Sequence, residues 1–211
     1  RGTVGARRRL KPRATACQAG LGRRTVGWFS LQSLIMADLY RRRMVLSVVL
    51  IVGGTLAAVL IRLPFLESIS HDIIGFLGQW YDYIVLNGGV YALGDRFANY
   101  TPTYLYLLTA SAYVREYALP ILSKIVAIKL PSLAADFVLA VGVYKLARVL
   151  FRDSLKPAVA YVVVLLLPTV VINSALWGQA DAIYSACVMW CVYLLCARRP
   201  APAMIAFGLG L

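Results

Sequence analysis

The chain has 211 residues, is 61% hydrophobic, has a mean hydropathy of +0.74 and carries a formal charge of +13. Soluble domains are nearer 45–50% apolar, so this composition excludes an ordinary soluble globule, and several runs of roughly 20 apolar residues read as membrane segments. Nor does the charge point to nucleic acid: eleven of the 22 Lys and Arg precede residue 44, and Arg41, Arg42 and Arg43 abut the first apolar run, where basic residues favour the cytoplasmic side.

Residues 1–35 are rich in Arg and Gly and have no period. They are expected to be disordered: a basic tail, a targeting segment, or untranslated sequence upstream of a true start at Met36. Residues 1–43 are thus set apart as a tail. Residues 44–211 are read as the N-terminal part of a multi-span domain, because the chain starts without Met and stops at FGLGL, inside an apolar run.

The first membrane helix is predicted over Met44 to Leu63, where Gly53 and Gly54 permit close packing and Pro64 ends the run. Three arginines before it and four acids after it fit an in-to-out crossing. The loop that follows, Pro64 to Tyr106, holds Glu67, Asp72, Asp82 and Asp95 of the nine acids, and the only histidine, His71. Within it, residues 71–86 project as a helix. Ile73, Phe76, Leu77, Trp80 and Ile84 make one apolar stripe, while Asp72, Gly75, Gln79 and Asp82 fall opposite. Such a helix suits the membrane interface, with its rings at headgroup level and Asp72 facing water or substrate.

Further spans are predicted over 125–147, 157–172 and 182–197, with another beginning at 203. Residues 101–122 are interrupted by Arg115, Glu116 and Pro120 and form a short or re-entrant span. If they cross, the loop near residue 175 is cytoplasmic; if they re-enter, it shares a side with Asp72. Cys187, Cys191 and Cys196 lie in or at the end of an apolar helix, Cys17 in the tail. No CxxC occurs, so neither a metal site nor a disulfide framework is expected.

Four features could carry chemistry. Asp72 is placed to deprotonate a hydroxyl, against the reading of a solvated loop acid that Asp82 and Asp95 share. Asn99 to Tyr106 (NYTPTYLY) offers rings, Tyr100 and Tyr104 among them, that suit sugars or a plain interfacial belt. Asn173 to Asp181 (NSALWGQAD) gathers Trp177, Gln179 and Asp181 between two apolar helices, as a cavity wall or a short turn. Asp136 sits in an apolar helix, with Lys129 or Lys145 as its partner in a structural ion pair.

Taken in order, an early loop Asp, a Trp about eight residues on, Gly-Gly-x-Tyr, Asn-Tyr-x-Pro-x-Tyr-Leu-Tyr, Lys-Leu-Pro-x-x-x-x-Asp and Asn-Ser-x-x-Trp-Gly-Gln-x-Asp resemble the GT-C superfamily of polytopic glycosyltransferases. The resemblance covers about residues 44–199. It is to mannosyltransferase-like proteins similar to the second mannosyltransferase of GPI-anchor synthesis. It implies an all-α transmembrane bundle, multi-pass in the plasma membrane of a prokaryote or the endoplasmic reticulum of a eukaryote. It also implies a polyprenyl-phosphate-linked sugar donor, a lipid or glycan acceptor, inverting displacement without a cofactor or metal, and Asp72 as catalytic base. Trp80, Tyr100, Tyr104, Trp177, Gln179 and Asp181 are then substrate-facing, and Arg96 is the loop cation available to a departing phosphate. No nucleic-acid partner is implied. The competing functions are a transporter or channel, with Asp136 and Asp181 as ion sites, and a non-catalytic scaffold.

Overall fold

A computed structural model describes residues 21–152 and 154–211, with side chains from Met36 onward. The expectations for residues 1–20, Cys17 included, lie outside this range. Every described element is helical. Arg1–Arg42 form one unit and Arg43–Leu211 another. Helix α1 runs from Leu21 to Arg62, so the backbone of residues 21–35 is helical where the sequence predicted disorder. The first unit ends in an exposed Asp38–Arg42 ion pair of 2.8 Å, one helical turn apart.

The second unit begins with the remainder of α1. Residues Met36–Phe65 are long and apolar enough to cross a membrane, roughly 45 Å at 1.5 Å per residue. Val45, Val48, Val49 and Val52 are exposed along it, as a helix in hydrocarbon requires. Pro64 lacks an amide donor, and the chain tightens into a 3-10 turn over Leu63–Phe65. One face of α1 packs on α5 (Lys156–Leu166). There Thr55 Oγ1 lies 2.9 Å from Tyr161 Oη, and a side chain at Gly54 would collide with Val162. Gly53, by contrast, has open space. Gly54→Leu is therefore expected to cost about 1–3 kcal/mol by overpacking, and Gly53→Leu almost nothing, in unfolding of the detergent-solubilised protein; equal effects would reject this packing.

The loop enters a π-helical turn at Ile73–Leu77 and continues as α2 (Gly78–Leu86). Its predicted apolar stripe is real, but the stripe packs on protein. Ile73, Leu77, Trp80 and Ile84 are buried with Tyr104 and Leu108 of α3 (Pro102–Tyr113) and with Ala127 and Ile128 of α4 (Lys124–Leu150). Phe76 leaves the stripe and is 52% exposed, because the wider π turn changes the angular step per residue.

Helix α3 starts at Pro102, behind an extended Thr101, as a residue before proline prefers. A π-helical turn at Val114–Ala118 continues it, and the whole run reaches about 25 Å, short of the roughly 30 Å hydrocarbon core. Helix α4 is capped by Ser123, whose Oγ accepts from the Val126 amide at 3.2 Å, and it is the second helix able to cross a membrane. It packs against α3, α5 and α7 (Asp181–Cys196) through small residues, among them Ala135, Ala140 and Gly142. The predicted 157–172 span is a bent pair: α5 meets Pro168–Trp177 at 48°. Pro168 begins the short helix α6 (Pro168–Val171) and holds Leu167 at φ −58°, ψ 125°, outside the helical region. With this pair counted as one span, three segments are long and apolar enough to cross. Helices α7 and α8 (Pro200–Leu209) are shorter apolar helices.

Candidate functional site

Buried basic residues fasten the loop to the rest of the unit. Lys129 of α4 is fully buried. Its Nζ lies 2.7 Å from the Phe65 carbonyl, 2.8 Å from the Ser68 carbonyl, 3.0 Å from Ser68 Oγ and 2.7 Å from the Ala175 carbonyl. An ammonium has three donors and no acceptor, and here a ring of oxygens from two separate segments surrounds it. Ser70 Oγ donates to the Trp177 carbonyl at 2.9 Å, adding a second tie between the same segments.

These ties bring the two loop motifs together. Gln179 Nε2 donates to Asp72 Oδ2 at 2.5 Å. The approach depends on Gly178, whose φ of +75° suits glycine. A Cβ there would also stand 3.1 Å from Cγ of Lys129. Asp72 is half-buried, just ahead of the π turn, with its carboxylate held by an amide and, among the described residues, by no cation.

Tyr100 completes the group. Its ring meets Trp80 edge-on at 4.9 Å and Tyr104 edge-on at 5.2 Å. Its hydroxyl is pushed above the ordinary tyrosine range, first by burial, then by the carboxylates of Asp72 and Asp181, with Tyr184 adding to them. Tyr104 is fully buried, and its hydroxyl has no hydrogen-bond partner among the described residues. Tyr184 of α7 lies 3.2 Å from Thr101 Oγ1. It went unnoticed in the sequence, although it sits one helical turn past Asp181 and so shares its face.

The other predicted residues divide. Trp177 is 47% exposed and lines two openings. One, of about 460 Å³, also has Asp136, Asn173 and Asp181 in its wall. The other, of about 400 Å³, has His71 and Ser70. Arg96 is exposed, and among the described residues no polar contact joins it to Asp72. Asp82 pairs with Lys124 at 2.6 Å, and Asp95 accepts from Tyr83 at 2.8 Å, so neither acid joins Asp72.

Asp136 is an ion-pair acid, as expected, but neither Lys129 nor Lys145 is its partner. Arg62, at the end of α1, donates to Asp136 Oδ2 through Nη2 at 2.8 Å and Nε at 3.2 Å. Ser174 Oγ donates to the same oxygen at 2.5 Å. Arg62 also reaches the carbonyls of Ala58 and Leu165, each at 3.0 Å. Lys129 is unable to serve Asp136 because carbonyl oxygens already claim it.

Compared with protein-family models, with curated proteins and with solved structures, the chain matches none.

Proposed function

We propose that this chain is part of a multi-pass membrane glycosyltransferase that moves a sugar, mannose or another hexose, from a polyprenyl-phosphate donor to an acceptor hydroxyl. The observation that carries the reading is the Gln179–Asp72 hydrogen bond, which joins an acid just beyond the first apolar helix to the Trp-Gly-Gln-x-Asp segment. Asp72 acts as general base, taking the acceptor proton as the oxygen attacks the anomeric carbon. Gln179 orients the carboxylate. A near-attack geometry of this kind supplies much of the acceleration.

Tyr100 supports the same reading. Its ring packs edge-on against Trp80 and Tyr104, and its phenol is a donor for a sugar oxygen or for the departing phosphate. Neither Lys129 nor Arg62 is free for that phosphate, since each is consumed by buried acceptors. Of the two acids that a transporter reading takes as ion sites, Asp136 and Asp181, the first already has its charge matched by Arg62.

The test is transfer of labelled sugar from polyprenyl-phosphate-mannose or polyprenyl-phosphate-glucose to membrane acceptors by the full-length protein. Donor-dependent transfer supports the reading. Absence of transfer, together with proton- or sodium-coupled uptake into proteoliposomes, would replace it with the transporter.

A further inference from the structure

The end of the second unit away from Asp72 carries a collar of cations. Helices α4 and α7 run side by side in one direction. Ser132 Oγ lies 3.5 Å from the Gly178 carbonyl just ahead of α7, and Trp190 Nε1 donates to the Val138 carbonyl at 2.9 Å further along. Helix α5 returns beside α4, with Tyr161 and Leu165 buried against Ala140. The C-terminal ends of α4 and α7 and the N-terminal end of α5 therefore lie together. Lys145, Arg148, Arg152, Lys156, Arg198 and Arg199 stand there, all exposed. Arg148 is about 28 Å along α4 from Lys129, close to the roughly 30 Å thickness of the hydrocarbon layer. The lysine clamp and the collar thus mark opposite headgroup levels.

None of the six cations pairs with an acid among the described residues. The described acids of this unit gather elsewhere. Glu67, Asp72, Asp82, Asp95 and Glu116 lie between the end of α1 and the start of α4, Asp181 opens α7, and Asp136 is buried with Arg62; Asp153 lies outside the described residues. At the Asp72 end, by contrast, Asp82 matches Lys124 and Glu116 matches Arg115. Unmatched like charges gathered at one end favour an anionic partner. Apolar side chains exposed among them, Leu150, Phe151 and Leu195, select which one. The Lys156 ammonium lies 4.5 Å from the centre of the Phe151 ring, so charge and apolar surface meet in one place. A soluble polyanion gains nothing from those apolar groups, whereas a phospholipid offers phosphate to the cations and its glycerol and acyl region to them. Arg198 adds a further sign. Alone among the described non-glycine residues it has a left-handed φ, +58°, at a helix end where glycine is usual, and the chain keeps a cation there. We propose that this collar binds the phosphodiester headgroups of anionic phospholipids in the leaflet away from Asp72. The glycosyl-transfer reading is not needed for it.

The test reconstitutes the full chain in phosphatidylcholine bilayers and compares the association constants of spin-labelled phosphatidylglycerol and spin-labelled phosphatidylcholine by electron paramagnetic resonance. The wild type is expected to prefer phosphatidylglycerol at least about threefold, and the preference should shrink as salt is raised. The combined variant Arg148→Gln/Arg152→Gln/Arg198→Gln/Arg199→Gln should lose at least about half of it, while Lys124→Gln, at the Asp72 end, should keep it. The four positions are exposed, and an unchanged thermal midpoint in phosphatidylcholine shows that the variant folds; the single variants Arg148→Gln and Arg198→Gln, each expected to lose part of the preference, carry the test if it does not. No preference in the wild type, or a full preference in the folded collar variants, would overturn the surface. Loss of the preference on adding millimolar inorganic phosphate at constant ionic strength would also overturn it, by marking a site for free anions.

Discussion

Replacing Asp72 with asparagine is expected to lower sugar transfer by about 10²- to 10⁴-fold, the usual contribution of a general base. At 1.36 kcal/mol per tenfold, that is roughly 2.7–5.4 kcal/mol of transition-state stabilisation. The change is nearly isosteric, and the asparagine oxygen still accepts from Gln179 Nε2, which reaches Asp72 at 2.5 Å in the native chain. What is lost is the ability to take a proton. The loss should appear in kcat, with the midpoint of thermal unfolding unchanged, because Asp72 is only half-buried and bears no buried ion pair. Gln179→Leu removes the orienting donor but not the base, so a smaller loss is expected. Transfer at the native rate by Asp72→Asn would end the assignment.

The second large effect concerns the Arg62–Asp136 pair, 3% and 0% exposed. Arg62→Met strands a buried carboxylate, and Asp136→Leu strands a buried guanidinium. Breaking one side of such a pair costs about 3–5 kcal/mol, whereas replacing both sides with apolar residues is often neutral. Each single variant is therefore expected to unfold at a markedly lower denaturant concentration in detergent. The double variant Arg62→Met/Asp136→Leu should recover most of the loss. Simple additivity of the two single losses would show that the pair does not couple α1 to α4.

Much of the helical frame was legible because proline acts locally. Pro64 was read as the end of the first apolar run and does end α1, whereas Pro168, read through as part of one span over 157–172, breaks it into a bent pair. The aromatic and acidic identity of the site could also be read from Asp72, Tyr100 and the Trp177 segment. Their meeting could not, since Gln179 and Asp72 are 107 residues apart and the contact depends on Lys129 fastening two segments from below. Arg62 was passed over for a related reason. It looks like a charge flanking a membrane helix, whereas its acid lies 74 residues on, and Lys129 and Lys145 stood nearer Asp136 in sequence. Phe76 shows the limit of periodicity: a 3.6-residue projection does not register a π turn. The predicted end of the disordered tail also gave way to helix from Leu21, where an Arg-rich stretch hid adequate helix formers such as Leu, Gln and Met.

The lysine clamp also bears on how the protein comes to exist in a membrane. Lys129 gathers carbonyls from Phe65 and Ser68, made before it, and from Ala175, made after it. A growing polypeptide that has delivered only its first apolar helix and the adjoining loop carries Asp72 without Gln179. The Gln179–Asp72 contact thus forms late in biogenesis, when α7 settles beside α4.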